Sequence, residues 1–462
     1  EASKLVVMLF QDTIVALATP AGVGAIGVIR LSGPKAISLV NSVFKPKDLS
    51  KQSSHTIHYG RIEDAGRVYD EVVVSLYIAP KSYTKEDVVE ISCHGSPFIQ
   101  ESIIQLFVEK GARLAKAGEF TQRAFMHGAF DLAQAEAVAD VIAADSAAAQ
   151  AAALHQLRGG FSNELAALRE QLIHFASLIE LELDFGEEDV EFADRKDLED
   201  LVNQLLVAIR PLVASFRAGN AIKNGVATVI VGKPNAGKST LLNALLNEDR
   251  AIVSDIAGTT RDSLEDTWVL GGIKFRLIDT AGLRETDDVI EAMGVERTQA
   301  WVKKAQVVIY LADAVTETPN GYVEAIAALG DIEIPVIKLL NKVDQVNASQ
   351  VVAFKSLIPE LIEISAKNRM GLGDLEKALL DVVGLDQVST GGTLVTNLRH
   401  YQHLLQTQET LESVLRGLQV GLTGDLIAQD LRYALHDLGE ITGQISNDDL
   451  LKNIFGKFCI GK

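Results

Sequence analysis

Residues 232–239 read Gly-Lys-Pro-Asn-Ala-Gly-Lys-Ser, an octapeptide of the form GxxxxGK[ST]. The β-branched run Ala227–Val231 comes before it, and Thr240–Leu246 follows with the composition of a helix. A glycine-rich turn between a strand and a helix lets backbone N–H groups surround phosphate oxygens at the helix N-terminus. Lys238 would supply a cation to the β- and γ-phosphates, and Ser239 a hydroxyl to Mg²⁺. The octapeptide therefore predicts a nucleotide-binding α/β domain.

The sequence around the octapeptide alternates short β-branched runs with segments of helical length, which is typical of a parallel sheet with crossover helices. The predicted strands are Ala227–Val231, Phe275–Ile278, Val307–Leu311, Val336–Leu340 and Leu361–Ile364. Polar motifs follow three of them: Asp279-Thr280-Ala281-Gly282, Asn341-Lys342-Val343-Asp344 and Ser365-Ala366-Lys367. Ligands of open α/β sheets bind at these carboxyl ends of strands.

The motif that ends at Asp344 distinguishes GTP from ATP. A carboxylate at this position can accept two hydrogen bonds from N1–H and the exocyclic amine of guanine, which adenine does not offer, while Asn341 would brace the loop. Asp279 is predicted to hold a Mg²⁺-bound water, and the N–H of Gly282 to contact the γ-phosphate. The sequence therefore predicts GTP as the nucleotide and Mg²⁺ as its metal.

The segment Gly258–Asp262 (GTTRD) occupies the place of a first switch loop, and Thr260 is predicted to give Mg²⁺ its second hydroxyl. Leu283 stands where many small GTPases carry a glutamine that orients the attacking water. Hydrolysis must then use another polar group, and the candidates downstream are Glu285, Asp287, Asp288 and Glu291.

Helical sequence surrounds this α/β region on both sides. Apolar residues recur at three- and four-residue spacing between Phe120 and Phe216, and again after Leu394. Before them lies a segment with strand-like runs at Thr13–Ala16, Ala25–Leu31, Val72–Ile78 and Val88–Ser92. We predict a multidomain α/β protein with an N-terminal α+β domain (1–127), a discontinuous helical domain (128–218 and 389–462) and an inserted Ras-like P-loop α/β domain (219–388).

The composition limits the functional classes. The 462 residues suggest two to four domains, at roughly 100 to 200 residues each. A net charge of −19 argues against non-specific attraction to nucleic acid or anionic lipid, so an RNA partner would require a local basic patch. The two cysteines, Cys93 and Cys459, have no metal-ligand spacing, and no apolar run reaches the roughly 18 residues of a membrane span. We therefore expect a cytoplasmic protein without a zinc site or a membrane segment.

Several motifs outside the nucleotide site resemble one family. They are Asp12–Ala16 with Arg30–Gly33, Tyr83–Glu90 (YTKEDVVE), Gly118–Phe125 (GEFTQRAF), Asp131–Val138 (DLAQAEAV) and the terminal Cys459-Ile460-Gly461-Lys462. Over essentially its whole length the chain is similar to the MnmE (TrmE) family of bacterial tRNA-modification GTPases. The resemblance implies an N-terminal domain that binds folate and dimerises, the discontinuous helical domain, and an inserted G domain.

The resemblance also assigns residues of the GTP site. It implies K⁺ binding by the Asn235 side chain and by Ser254, Ile256 and Thr259, where the cation would replace an arginine finger. It implies that Glu291 positions the attacking water, with Lys238 and Thr260 as the other catalytic residues. From motifs and resemblance together, the predicted GTP-binding residues are Asn235, Ala236, Gly237, Lys238, Ser239, Thr240, Ser254, Asp255, Ile256, Ala257, Gly258, Thr259, Thr260, Asp279, Thr280, Ala281, Gly282, Asn341, Lys342, Val343, Asp344, Ser365, Ala366 and Lys367.

For folate, the resemblance points to Arg30, Glu90 and Lys462. A cation suits the carboxylates of the glutamate tail, and a carboxylate can bind the amino groups of the pterin. The family usually has a basic residue where this chain has Ala129, so weaker folate binding is expected. Cys459 matches a family residue needed for modification.

The implied activity is addition of an aminomethyl or carboxymethylaminomethyl group to C5 of wobble uridine 34 in tRNA. The one-carbon unit would come from 5-formyl- or methylene-tetrahydrofolate. The implied partners are a second copy of the chain, tRNA, and the flavin-dependent MnmG (GidA) in a heterotetramer or larger complex. Two alternatives remain: a regulatory or ribosome-assembly GTPase without modification chemistry, and a scaffold with a vestigial nucleotide site. A folate pocket and the CxGK terminus argue against the first, and the intact set of Lys238, Ser239, Asp279 and Asp344 argues against the second.

Overall fold

The structure is a computed structural model that describes residues 11–184, 195–246, 266–278, 301–330, 334–384, 393–446 and 448–461. The chain forms two compact units, one of residues 1–142, 156–174 and 435–462, the other of residues 143–155 and 175–434. Each unit therefore joins segments that are distant in the sequence. The expected multidomain α/β fold is confirmed by the sheets and helices described next.

The described strands are β1 (Ile14–Leu17), β2 (Ile26–Ser32), β3 (Phe44–Lys45), β4 (Thr56–Asp64), β5 (Arg67–Tyr77), β6 (Val88–His94), β7 (Arg113–Leu114), β8 (Val226–Val231), β9 (Asp266–Leu270), β10 (Ile273–Leu277), β11 (Val307–Asp313), β12 (Val336–Asn341) and β13 (Ile362–Glu363). The described α-helices are α1 (Ala36–Val43), α2 (Pro97–Glu109), α3 (Glu119–Met126), α4 (Leu132–Ala143), α5 (Ala147–Leu157), α6 (Gly160–Asp184), α7 (Arg195–Asn224), α8 (Lys238–Leu246), α9 (Pro319–Ala327), α10 (Ala348–Leu357), α11 (Leu372–Val383), α12 (Leu398–Gln419), α13 (Gly424–Thr442) and α14 (Asp448–Phe455).

The first unit is built on a seven-stranded sheet with the strand order β3-β4-β5-β6-β2-β1-β7. Its neighbouring strands are antiparallel except for β1 and β7, which are parallel. Ala65 and Gly66, with φ angles of 49° and 81°, form the two-residue turn between β4 and β5. Two positive φ angles are what a tight hairpin turn of this twist requires.

Helices α1 and α2 contribute to the core of this sheet. Val40 and Val43 of α1 and Ile103 and Phe107 of α2 are fully buried in one cluster with apolar side chains of the strands. The buried strand residues alternate with more exposed ones, as Ile29 and Leu31 do in β2. One apolar face of the sheet therefore holds the helices in place.

The second unit contains a six-stranded sheet in the order β13-β12-β11-β8-β10-β9. All pairs are parallel except β9 and β10. The two central strands, β8 and β11, are buried along their whole length. This is expected of parallel strands with an apolar cluster on each face. Their carboxyl ends, at Val231 and Asp313, lie at the edge where the loops of the nucleotide motifs begin.

The long helices α7 and α12 pack together in the second unit. The rings of Phe216 and Tyr401 stack with their centroids 4.2 Å apart, and Arg210 pairs with Glu412 at 3.1 Å. Of the helices that are described, α7 is the one long and apolar enough to pass a length-and-composition test for a membrane span. Half of that stretch is buried, as in the core helix of a folded domain, so the test is weak evidence for a span.

Candidate functional sites

The phosphate loop of residues 232–237 connects β8 to α8. Gly237 has φ +96°, and a Cβ atom there would lie 2.3 Å from the side-chain nitrogen of Asn341. Only glycine fits this close approach without displacement of its neighbour. Helix α8 begins at Lys238, so its unpaired N–H groups lie at the end of the loop. The local structure is the anion-binding geometry that the octapeptide predicts.

Lys238 closes the phosphate loop. Its ammonium donates hydrogen bonds to the carbonyl oxygens of Gly232 at 2.8 Å and Lys233 at 2.9 Å. The charged end of the side chain therefore lies beside the loop backbone, where a phosphate would be held. Ser239 and Thr240 are exposed in the first turn of α8.

Asn341 joins three of the predicted motifs. This side chain is only 3% exposed, its Nδ2 donates to the carbonyl of Ala236 at 2.8 Å, and its Oδ1 accepts from the N–H of Ala366 at 3.0 Å. One amide group thus connects the end of β12 to the phosphate loop and to the Ser365–Lys367 segment. The structure brings these motifs together at one edge of the sheet.

Lys342 adds a second connection to the phosphate loop. It has φ +64°, and its ammonium donates to the carbonyl of Asn235 at 2.9 Å and to Oδ2 of Asp313 at 2.8 Å. Burial raises the pKa of Asp313, but the hydrogen bonds from Lys342 and the N–H of Val315 outweigh it and hold this pKa below its usual value. The Asp313 carboxylate therefore stays charged and keeps Lys342 against the loop.

The side chains predicted to meet the base stay open to solvent. Asp344 lies in a short 3-10 turn after β12 and is exposed, and Lys367 is exposed after β13. Because β12 and β13 are parallel neighbours, with Leu339 opposite Ile362, both side chains follow strand ends at the same edge of the sheet. Ser365, by contrast, is buried and exchanges backbone hydrogen bonds with Met370.

Part of the predicted GTP site falls outside the described residues. β9 begins after the first switch segment, and β10 ends two residues before Asp279. The predicted site residues that lie outside the described part of the chain are Ser254, Asp255, Ile256, Ala257, Gly258, Thr259, Thr260, Asp279, Thr280, Ala281, Gly282, Glu291 and, in the other unit, Lys462.

The first unit brings Arg30 and Glu90 together. They are directly opposite on the antiparallel strands β2 and β6, and Nε of Arg30 donates to Oε1 of Glu90 at 2.8 Å. A second guanidinium nitrogen donates to the carbonyl of Gly461 at 3.2 Å. Two predicted site residues far apart in the sequence thus meet beside the backbone of Gly461.

Two aromatic rings hold the Arg30 guanidinium. Its central carbon lies 5.5 Å from the ring centroid of Tyr83 and 5.6 Å from that of Phe120. The hydroxyl of Tyr83 is hydrogen bonded to Thr121 at 2.8 Å, and burial raises the pKa of this phenol, which therefore stays neutral. Cation–π contacts of this kind fix the plane of an arginine. Both rings belong to motifs of the sequence (YTKEDVVE and GEFTQRAF), but the motifs alone do not indicate that they contact Arg30.

A network of ion pairs around the buried Arg123 stabilises the loop that carries Tyr83. Arg123 is fully buried and pairs with Asp12 at 2.6 Å, Glu119 at 3.0 Å and Glu86 at 3.2 Å. Burial raises the pKa of Glu119, but hydrogen bonds from Arg113, the N–H of Lys116 and Arg123 hold it below its usual value. Through Glu86 the network fixes the loop that carries Tyr83.

The two cysteines differ in solvent exposure. Cys459 is exposed near the C-terminus, and its carbonyl accepts from the N–H of Gly118. Cys93 is buried in β6, and burial raises its pKa to about 11, which keeps the thiol protonated. Only Cys459 is therefore accessible to a reactant. Ala129, near the end of α3, has no charge to offer a ligand.

Comparison with known proteins identifies relatives along the whole chain. Residues 13–129 match the family profile described as GTP-binding protein TrmE N-terminus, and residues 132–459 match the MnmE helical domain. The tRNA modification GTPase MnmE of Cytophaga hutchinsonii is 56% identical over 98% of both chains. That of Flavobacterium psychrophilum is 52% identical over 98% of this chain and 100% of the relative.

Solved structures match a smaller part of the chain. The G domain of the T. maritima FeoB iron transporter is 19% identical and covers 34% of this chain and 98% of its own, with a TM-score of 0.25. A TM-score of this size carries no argument about function.

Proposed function

The chain belongs to the MnmE (TrmE) family of tRNA modification GTPases, and we propose a specific reaction for it. It hydrolyses GTP and acts in tRNA modification. In our proposal K⁺ stimulates the hydrolysis, and the chain works with a flavin-dependent partner of the MnmG (GidA) type. Together they add an aminomethyl or carboxymethylaminomethyl group to C5 of wobble uridine 34, with a one-carbon unit carried by folate.

The two hydrogen bonds made by Asn341 are the observation that best supports the proposed GTP site. They connect the phosphate loop, the Asn341–Asp344 motif and the Ser365–Lys367 segment in one rigid arrangement. A nucleotide whose phosphates lie in the loop would extend its base toward the exposed Asp344. The Asp344 carboxylate would then accept the N1–H and amino hydrogens of guanine, while Lys238 binds the β- and γ-phosphates.

The donor atoms near the phosphates suit the proposed cations. Ser239 offers an exposed hydroxyl in the first turn of α8, and Thr260 would offer the second for Mg²⁺. The carbonyl of Asn235 accepts from Lys342, and its side-chain oxygen has no partner among the described residues, so it is available to K⁺. When bound, these cations offset the charge that develops on the phosphates. Ser254, Ile256 and Thr259 would complete the K⁺ ligands.

Glu291 would position the attacking water in this proposal. Leu283 cannot do so, because it has no polar atom. Thr260 and Lys238 would complete the catalytic set on the phosphate side. The protein's contribution is then mainly orientation and charge, as is usual for phosphoryl transfer.

The paired Arg30 and Glu90 support the folate site. Glu90 accepts from Arg30 through Oε1, which leaves Oε2 to accept from a pterin amino group. Arg30 contacts two rings and pairs with Glu90, so a ligand would meet a guanidinium that is already oriented. Lys462 would add a further cation, and the exposed Cys459 a thiol needed for modification. Aromatic walls and a few fixed polar groups are typical of cofactor pockets.

The proposed assembly follows from the family. We propose a cytoplasmic homodimer that binds tRNA and joins MnmG in a heterotetramer or larger complex. A net charge of −19 means that tRNA must be bound through a local basic surface or through the partner.

The test is nucleoside analysis of tRNA by mass spectrometry in a bacterial strain that lacks its own MnmE. We expect the wild-type chain to restore the C5-modified wobble uridine, and the Arg30→Ala and Asp344→Asn variants to fail. Restored modification by both variants would refute the proposed sites. A wild-type chain that leaves the nucleosides unchanged but corrects a ribosome-assembly defect would favour the regulatory GTPase instead.

A further inference from the structure

Lys85 lies in a loop between β5 and β6 that is tied to the protein on both sides of it. Thr84 is fully buried, with its hydroxyl 2.7 Å from that of Ser32, and Glu86 pairs with the buried Arg123 at 3.2 Å. With both neighbours directed inward, Lys85 is left exposed. Its φ angle is +60°, a left-handed conformation that costs energy for a residue with a Cβ atom. Strain of this kind is concentrated at functional sites.

The ammonium of Lys85 is held in one place. It donates to the carbonyl of Gly128 at 2.6 Å, directly before Ala129. An ammonium has three N–H groups, so two remain after this bond. In the part of the chain that the structure describes, no carboxylate pairs with Lys85. A positive charge with two unused donors therefore stands next to the position where this chain lacks a basic residue.

The same loop leads to Arg30. The ring of Tyr83 lies 5.5 Å from the Arg30 guanidinium and 5.7 Å from the ring of Phe130. The carbonyl of Thr84 is 2.8 Å from Nδ1 of His127. Loop residues 83–85 thus contact segment 127–130 at three successive positions, and one of these contacts continues to Arg30. Lys85 is therefore two residues along the same loop from Tyr83, the residue whose ring contacts Arg30.

We propose that Lys85 is a ligand-binding residue of the folate site. Its ammonium would receive a carboxylate of the ligand's glutamate tail and supply the charge that Ala129 does not. This inference rests on the proposed folate function and extends it to a residue that the sequence reasoning did not assign. An exposed ammonium suits the carboxylates of the glutamate tail better than it suits the pterin, which carries no carboxylate.

The simpler role for Lys85 is that of a helix cap. Gly128 lies just beyond the end of α3, and a cation at a helix C-terminus is stabilising. The two roles make different predictions, because a cap acts on stability and a ligand cation acts on affinity for a charged tail.

The test is calorimetric titration of the full chain with 5-formyl-tetrahydrofolate and with a 5-formyl-tetrahydropterin that lacks the glutamate tail. In Lys85→Gln the amide can still donate to Gly128 but has no charge. We expect about five- to tenfold weaker binding of the folate, the size of one charged hydrogen bond at a partly exposed site. Binding of the tail-less pterin should not change. Lys51→Gln, at a lysine with an 80% exposed side chain in the same unit, is the matched control and should bind both ligands normally.

Two further variants test whether a lysine at position 129 can replace Lys85 in binding the folate. Lys85→Gln/Ala129→Lys should regain most of the lost affinity, and Ala129→Lys alone should gain less than it does in the Lys85→Gln background. If Arg30→Ala loses both ligands while Lys85→Gln binds the folate normally and only melts at a lower temperature, Lys85 is a helix cap and this inference is wrong. If Arg30→Ala binds both ligands normally, or the wild type binds neither, the folate site itself is wrong.

Discussion

At the scale of single residues, the nucleotide site depends on the two-sided hydrogen bonding of one amide. Asn341 donates to Ala236 and accepts from Ala366, and it is nearly fully buried. An aspartate at this position could not donate, and an alanine would leave a buried carbonyl and a buried N–H unpaired, at about 1 to 3 kcal/mol each. The motif in the sequence predicted a bracing role for Asn341, but the two partners became apparent only in the structure.

Base selectivity is predicted to reside in Asp344. Asp344→Asn should shift preference from GTP toward xanthosine triphosphate, because the amide can donate to the 2-oxo group of xanthine. Competition binding with the two nucleotides measures the shift. Unchanged GTP affinity in this variant would mean that another group reads the base.

The catalytic role of Glu291 predicts a loss in rate without a loss in binding. Glu291→Ala should lower kcat by about 100-fold or more while the Kd for GTP stays nearly constant, the pattern of an interaction made only in the transition state. Single-turnover hydrolysis and nucleotide titration separate the two quantities. Hydrolysis at the wild-type rate would return the role to Glu285, Asp287 or Asp288.

At the scale of elements, the apolar runs in the sequence predict most strands of both sheets but not β3, β4, β7 or β9. The five runs predicted for the nucleotide domain correspond to β8, β10, β11, β12 and β13. The central strands β8 and β11 are buried along their whole length, and buried parallel strands form continuous apolar runs. β4 was missed because it exposes Ile57 and Tyr59 and buries His58 and Gly60, the reverse of the usual alternation. β9 was also missed, although Gly271-Gly272 between two short runs is a hairpin signal.

The buried ion network of the first unit gives a prediction about stability. Arg123→Met removes the partner that Asp12, Glu86 and Glu119 share. Glu86 then has no ionic partner while it stays largely buried, and Arg113 alone pairs with Asp12 and Glu119, so the change should cost about 3 to 5 kcal/mol. Calorimetric melting of the full chain should show the transition of this unit at a lower temperature. Arg61→Met, at an exposed pair with Glu63, is the control and should cost at most about 1 kcal/mol.

The difference in stability between the wild type and Arg123→Met should become smaller at low pH. The pKa values of Asp12 and Glu119 lie below their usual values in the folded state, because hydrogen bonds from arginines outweigh the effect of burial. Their stabilisation is therefore present above the unfolded pKa values of about 4 and is lost as the pH falls through the lower folded values. The gap between wild type and Arg123→Met should shrink below about pH 4; a gap that is independent of pH would contradict the ionic origin.

At the scale of the whole molecule, both units are assembled from distant segments. Gly461 lies close to β1, and with φ +98° a Cβ atom there would be 2.2 Å from the carbonyl of Leu17. The C-terminal backbone thus reaches Arg30 across more than 400 positions. Spacing in the sequence could not predict this contact, and only the family resemblance pointed to it. The division at 127, 218 and 388 remains our proposal for the domain boundaries.

We propose that K⁺ activates the hydrolysis of GTP by this chain. Among the described residues the side-chain oxygen of Asn235 has no partner, and Leu283 cannot orient water. We propose that K⁺ at Asn235 supplies the charge that an arginine finger gives other GTPases. The proposal also includes a homodimer in which two nucleotide domains meet face to face, with K⁺ ligands from Ser254 to Thr259. The direct test is steady-state GTP turnover in matched KCl and NaCl, at several protein concentrations so that dimerisation is controlled.

We predict turnover at least about tenfold faster in KCl, because Na⁺ is too small for contacts spaced for K⁺. Asn235→Ala should abolish the difference while GTP affinity, which depends on Lys238 and Asp344, is retained. Equal turnover in the two salts at every protein concentration would contradict the account.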